Sequence, residues 1–157
     1  MKYLPAVLIF VLFAACSGQP VEIYPMSNLW DTYKESKHEY YVLYNIQGKS
    51  PQEIESSIVA FNRETIQLDT ILKYRTSYWR RFYPNTNVLT RDYKEEGRDA
   101  IQDHAKETYL HVEWRGYRDS LIYVWYGSQL TNRREEYTYK LSKENLDSVL
   151  NPIRPAK

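Results

Sequence analysis

The sequence predicts an α+β domain with a mainly antiparallel sheet of about five strands and two or three helices packed on one face. Several segments alternate aromatic or β-branched residues with polar ones, which is the pattern of strands. One segment between them repeats apolar residues at helical spacing after a clear helix start. The later strand-like segments follow one another through short turns, which favours antiparallel pairing.

Two strands are predicted in the first half of the chain. The first covers residues 38–46, which are rich in tyrosine and branched side chains. A longer strand is predicted over residues 72–83, because large and charged side chains alternate there until Pro84. One side of this longer strand would face the core: Leu72, Tyr74, Tyr78 and Phe82.

The helix between these strands has the clearest start signal in the chain. Ser50 stands at the N-cap position, Pro51 at the first helical position, and Glu53 three residues after the cap. This arrangement predicts a helix from Pro51 to about Thr65. Its buried stripe follows helical spacing and would pack on the sheet: Ile54, Ile58, Phe61 and Thr65.

The second half of the chain predicts another helix, three strands and a terminal helix. Residues 88–106 carry apolar side chains near helical spacing. A hairpin would join residues 108–114 to residues 120–126, and a third strand would cover residues 135–141. A short helix is then predicted over residues 142–151.

The first sixteen residues do not have the pattern of a strand or helix of the folded domain. One basic residue is followed by an apolar run that is too short to span a bilayer, and the segment ends at the only cysteine of the chain. These features are typical of an export signal. The ending Leu12-Phe13-Ala14-Ala15-Cys16 resembles the lipobox of bacterial lipoproteins. The alternatives are an ordinary secretory signal with a free cysteine and an uncleaved anchor helix.

The lipobox resemblance implies cleavage before Cys16 and acylation of its thiol, usually with a further acyl chain on the new amino group. Two or three chains would make attachment to a lipid bilayer effectively stable. The chain then divides into a signal peptide over residues 1–15, a lipidated tether over residues 16–28, and a single α+β domain over residues 29–157. Gly18, Pro20 and small polar residues mark the tether.

The resemblance also bears on location in the bacterial cell envelope. In enterobacterial lipoproteins an aspartate after the cysteine marks retention in the inner membrane. This chain has Ser17 there, which favours the outer membrane. Residues 17–22 lack the acidic cluster found in some surface-exported lipoproteins, which favours the periplasmic side. Other bacterial lineages follow other rules, so the membrane and its face both stay open.

Charge and cysteine content exclude several kinds of function. The chain has 21 basic and 20 acidic residues, and removal of Lys2 with the signal leaves 20 of each. A neutral domain has no overall field that would attract nucleic acid. With Cys16 acylated, no cysteine remains for disulfides, thiolate metal sites or thiol catalysis.

Sixteen tyrosines are present, and most fall on predicted strands, where aromatic rings commonly form sheet and core contacts. A recognition surface is the competing interpretation. On the strand predicted over residues 72–83, the face opposite the core side combines one aromatic ring with three cations. These residues form a candidate binding face: Lys73, Arg75, Trp79 and Arg81. The alternative is a solvated basic face with one ring shielded by arginines.

Catalytic and cofactor motifs are missing from the sequence, so no catalytic residue and no cofactor are predicted. His111 and Glu113 would point to one side of a strand, and with His104 they form a weak candidate zinc site. The alternative is a surface histidine beside an acid. An enzyme is therefore less favoured than a binding protein.

Together these features predict a membrane-anchored envelope lipoprotein that acts as a binding or assembly module for a protein or an envelope glycan. A periplasmic immunity or inhibitor lipoprotein is the alternative, because it would carry a similar charged face. A small hydrolase is the least favoured reading. Nucleic acid is not an expected partner.

Overall fold

The computed structural model describes residues 18–26, 31–33, 35–93, 100–117, 121–140 and 145. Seven strands lie in these parts: β1 Glu22–Pro25, β2 Asp31–Tyr33, β3 Ser36–Tyr44, β4 Ser77–Pro84, β5 Leu110–Tyr117, β6 Leu121–Ser128 and β7 Arg133–Lys140. The helices described with them are α1 Pro51–Thr65, α2 Leu68–Lys73 and α3 Ala100–Asp103, followed by a 3₁₀ turn, Ala105–Glu107.

The strands form one mixed sheet. Its order is β1-β3-β4-β5-β6-β7, and β2 pairs with the first residues of β3. Only β3 and β4 are parallel among the described pairs, because α1 and α2 supply the long crossover that a parallel pair needs. The α+β class with a mainly antiparallel sheet is confirmed. The prediction of about five strands missed β1 and β2.

Helix α1 has the bounds that the sequence predicts, and its capping box is formed. The Ser50 hydroxyl oxygen accepts a hydrogen bond from the Glu53 amide at 3.3 Å, and the Glu53 carboxylate accepts one from the Ser50 amide at 2.7 Å. Two amides near the helix start are thereby satisfied. Ile54 and Ile58 are buried against the sheet, as their spacing predicts.

The strand predicted over residues 72–83 is wrong in its first part. Residues 68–73 form α2 instead, and β4 begins only at Ser77. Leu68 and Ile71 are three residues apart, so one helical turn brings both side chains to the same hydrophobic cluster. In a strand the two would point to opposite faces. The packing of Leu68 and Ile71 against the sheet therefore favours a helix over a strand in this segment.

Part of the predicted tether belongs to the sheet. Residues Glu22–Pro25 form β1, which pairs antiparallel with the end of β3, Glu22 lying opposite Tyr44. The folded domain therefore begins before residue 29, where the sequence placed its start. The short polar strand was missed because it pairs on only one side and carries little hydrophobic pattern.

The helix predicted over residues 88–106 is wrong for residues 88–93, which form turns and bends. Helix α3 and the 3₁₀ turn account for residues 100–107. The hairpin and the last strand are confirmed as β5, β6 and β7. The signal peptide, Cys16 and all but one residue of the predicted helix over 142–151 lie outside the described residues. Within the described ranges, no helix is long and apolar enough to cross a membrane.

Hydrophobic side chains pack on both faces of the sheet. The first face, covered by α1 and α2, carries the larger cluster, whose fully buried members include Leu43, Ile58, Tyr78, Phe82, Trp114 and Val124. The second face carries a smaller cluster: Met26, Tyr40, Val42, Trp79, Tyr83, Leu89 and Ile101. Because Ile101 belongs to α3, that helix lies on the second face. The prediction that all helices share one face is therefore wrong.

Candidate functional site

The four residues of the predicted binding face, Lys73, Arg75, Trp79 and Arg81, do not form one surface. Lys73 ends α2 and Arg75 precedes β4, because the strand begins at Ser77. The Arg75 carbonyl instead accepts a hydrogen bond from the backbone of β5. Trp79 and Arg81 do lie together on β4, with the Arg81 guanidinium carbon 4.3 Å from the centroid of the Trp79 ring.

Trp79 itself is a core residue. The residue is only 7 % exposed. Its ring stacks on the ring of His38, with 4.2 Å between the two centroids. Tyr40 and His111 contact the ring edge-to-face at centroid distances of 5.1 and 5.3 Å. The exposed recognition surface predicted around Trp79 is therefore wrong, because these three rings and Arg81 pack around its indole.

A row of four residues crosses the second face beside Trp79. Arg81 of β4 lies opposite His111 of β5, which lies opposite Gly127 of β6, which lies opposite Arg134 of β7. Gly127 has no side chain, and the ring of Trp125 occupies the space above it. The ring is so close that a Cβ atom on Gly127 would lie 2.4 Å from it.

A cavity of about 210 Å³ opens over this row. Among the described residues that line it, three are arginines, Arg81, Arg133 and Arg134, and none carries a carboxylate. The hydroxyl of Thr108 and Nε2 of His111 are both buried with no hydrogen-bond partner in the described structure. Buried polar atoms are normally satisfied, so a polar ligand that reached these two atoms, in residues that line the cavity, would complete their hydrogen bonding.

The imidazole of His111 is held in its neutral form. Burial lowers its pKa to about 3, and the nearby side chains of Arg81, His38 and Arg115 act in the same direction. Its ring also contacts the edge of Trp125 at a centroid distance of 4.8 Å. At neutral pH the positive charge of the cavity therefore comes from arginine alone.

The structure does not group the three residues of the weak candidate zinc site, which are His104, His111 and Glu113. His104 Nδ1 lies 2.7 Å from a carboxylate oxygen of Glu107. The Glu113 carboxylate is paired with Arg115 at 2.6 Å. In the part of the chain that the structure describes, no three His, Cys, Asp or Glu side chains are grouped to hold a metal ion.

The sequence analysis missed a buried ion pair on the first face. Arg80 is 4 % exposed, and its Nε donates to a carboxylate oxygen of Glu39 at 2.7 Å. Its Nη1 donates to the side-chain oxygens of Asn62 and Thr65 at 3.0 and 2.7 Å. This network joins β3 and β4 to the last turns of α1.

Charge and burial act in opposite directions on this pair. Burial alone would raise the pKa of Glu39, but Arg80, Lys37 and the Tyr78 hydroxyl together lower it. The carboxylate is therefore ionised and stabilised by its neighbours. One sequence signal was available: Arg80 lies between Tyr78 and Phe82, both predicted to face the core, so alternation places its charge inside.

A second buried carboxylate belongs to Glu55 of α1. It accepts a hydrogen bond from the Tyr126 hydroxyl, and the Ser128 hydroxyl donates to it at 3.4 Å. Arg133 Nη1 lies 3.5 Å from the same carboxylate. The carboxylates of Glu39 and Glu55 are thus engaged by side chains of the sheet, and they tie α1 to it.

The part of the second face over β6 and β7 is open to solvent. Tyr123 and Trp125 are partly exposed there, and Arg134, Glu136 and Thr138 are exposed beside them. We refer to these five residues as the open face. It combines two large rings with charges of both signs, which is the composition of many protein-binding surfaces.

No protein family, curated protein or solved structure matches this chain.

Proposed function

We propose that this chain is a lipoprotein of the bacterial cell envelope, anchored by acylated Cys16 and facing the periplasm from the outer membrane. The support is the order of basic, apolar and small residues that ends at the single cysteine. The described chain joins the sheet at Glu22, six residues after Cys16. Six residues span at most about 21 Å, so the anchor would keep the domain close to the bilayer.

On the membrane the domain acts as a binding or assembly module, and the open face is its contact surface. The observation that carries this proposal is that Tyr123 and Trp125 are partly exposed next to the exposed side chains of the open face, whereas Trp79 on the same face is buried. Aromatic residues supply much of the energy of protein interfaces when charged residues surround them. A protein partner is therefore favoured over an envelope glycan.

The anchor is tested with Cys16→Ser in the native host. We expect the wild-type chain in the membrane fraction and the variant in the soluble fraction, because the acyl chains supply the attachment. Mass spectrometry of the wild-type protein should find the lipid on Cys16. Membrane attachment of the variant as strong as that of the wild type would contradict the proposal.

The contact surface is tested by cross-linking in intact cells, followed by purification of the anchored protein. Trp125→Ala and Tyr123→Ala should each reduce the yield of the cross-linked partner at least about tenfold, as hot-spot truncations do. Leu72→Ala is the matched control, because Leu72 is an exposed hydrophobic residue on α2, on the first face. Equal yields from all variants would contradict the proposal. Recovery of one secreted toxin or hydrolase would identify the immunity or inhibitor alternative.

A further inference from the structure

We propose that the cavity over Gly127 binds a phosphate group. The proposed contact surface concerns a macromolecular partner, whereas this inference concerns a small anionic ligand held between β4 and β7. The phosphate could be the headgroup of a membrane lipid or a soluble phosphate. Both sources share the same chemistry, and the experiment below separates them.

The charge of the cavity favours an anion. Arg134 is exposed at the cavity, and in the described structure no carboxylate is paired with it. Arg81 adds a second positive charge at the other end of the row, where it packs on the Trp79 ring. Arg133 also borders the cavity, but Glu135 and Glu55 balance its charge. Arginine is well suited to phosphate because its planar group donates several parallel hydrogen bonds.

Two residues that line the cavity carry buried hydrogen-bonding atoms with no partner among the described residues. The residue Thr108 is only 7 % exposed, yet its hydroxyl has no partner within the described residues. The same is true of Nε2 of His111, which donates a hydrogen bond in the neutral tautomer that carries its proton there. A phosphate has enough acceptor oxygens to satisfy both donors and Arg134 together.

The size of the cavity is consistent with this ligand. A volume of about 210 Å³ leaves room for a phosphate and a few waters, each of which takes about 30 Å³. The Trp125 ring takes the space that a side chain on Gly127 would fill, so the free volume lies beside that ring. The ring of Trp125 forms one wall of the space.

The position of the cavity relates it to the membrane. Glu22, where the described chain enters the sheet, lies opposite the last residue of β3, at the sheet end where Ser128 lies opposite Arg133. Arg134 is the next residue of β7. The cavity therefore opens near the end of the sheet that the proposed anchor would hold close to the bilayer. This step alone rests on the proposed anchor, and the binding of free phosphate does not.

The first experiment titrates inorganic phosphate into the mature lipoprotein in a non-ionic detergent and follows tryptophan fluorescence, because Trp125 borders the cavity. Sodium chloride at matched ionic strength is the control for screening. We expect saturable binding of phosphate. Arg134→Gln should weaken it at least about tenfold, and Thr108→Val about fivefold, because each removes a donor.

Arg63→Gln is the matched control, because Arg63 is an exposed arginine of α1, which packs on the first face. Its affinity for phosphate should equal that of the wild type. The inference is overturned if phosphate acts no differently from chloride, or if Arg134→Gln and Arg63→Gln bind phosphate equally well. Thr108→Val changes no charge, so its effect separates a formed site from general attraction.

The second experiment repeats the titration with the lipoprotein in nanodiscs of phosphatidylcholine, alone or mixed with phosphatidylglycerol. If an anionic headgroup fills the cavity, phosphatidylglycerol should raise the apparent Kd for phosphate severalfold, and Arg134→Gln should remove that difference. If the ligand is a soluble phosphate, wild type and Arg134→Gln should respond equally to the lipid. Loss of the anchor would abolish only this second comparison, so the two proposals fail separately.

Discussion

Glu39 and Arg80 lie directly opposite each other in the parallel pair of β3 and β4, and their side chains form a 2.7 Å ion pair beneath α1. The Arg80 side chain is 4 % exposed and that of Glu39 is 14 % exposed. Because the sheet and the helix both contribute acceptors to Arg80, the pair fixes the crossover between the parallel strands.

Glu39→Gln should lower the free energy of unfolding by about 3 kcal/mol, because it leaves the Arg80 charge buried without its counter-ion. Urea denaturation at neutral pH measures this change. Asp92→Asn is the control, since the Arg91–Asp92 pair is largely exposed and should contribute less than about 0.5 kcal/mol. Equal effects of the two substitutions would show that the buried pair is not stabilising.

How far each part of the fold could be predicted depends on the sequence separation of the residues that interact to form it. The start of α1 could be predicted because Ser50 and Glu53 interact within one helical turn. The hairpin of β5 and β6 is also local. The parallel pairing of β3 and β4 could not be predicted in the same way, because its register is set by contacts between residues about forty positions apart.

Trp79→Ala should lower the free energy of unfolding by about 3 to 5 kcal/mol, because it removes a large buried ring that His38, Tyr40 and His111 surround. Trp125→Ala is the comparison and should cost clearly less, since Trp125 is partly exposed. Chemical denaturation of both variants provides the measurement. A loss below about 1 kcal/mol for Trp79→Ala would place that ring at the surface.

The candidate site shows a second limit of sequence analysis. Strand alternation correctly puts Trp79 and Arg81 on one side of β4, but it cannot say whether other parts of the chain cover that side. Here His38, Tyr40 and His111 surround Trp79 from the neighbouring strands, and Leu89 and Ile101 belong to the same buried cluster. The cavity likewise depends on which residues of four strands come into one row, and no single segment contains that information.

The stability of the domain should fall as the pH is lowered from about 6.5 towards 3, through His111. Its pKa is about 3 in the folded protein and about 6.5 when unfolded, so between these values only the unfolded chain binds the proton. The contribution of His111 to the free energy of unfolding is therefore complete above pH 6.5 and is lost as the pH falls. From pH 7 to pH 5 the loss should be about 2 kcal/mol.

Urea denaturation of wild type and His111→Gln at pH 7 and pH 5 measures this contribution. The other ionisable groups are the same in both proteins, so the difference between the two pH dependences belongs to His111. The variant should be less sensitive to acid by about the same 2 kcal/mol. Identical pH dependence would show that folding does not shift the pKa of His111.

Gly127→Ala should destabilise the domain by about 1 to 2 kcal/mol, because the new Cβ atom would lie 2.4 Å from the far edge of the Trp125 ring. Gly127 does not require a left-handed backbone, so the cost should come from the ring alone. A double-mutant cycle separates these causes. In a Trp125→Ala background, Gly127→Ala should cost almost nothing, since the atoms that it meets are gone. If the cost is the same in both backgrounds, the glycine is needed for the strand itself, and Trp125 does not set the shape of the cavity.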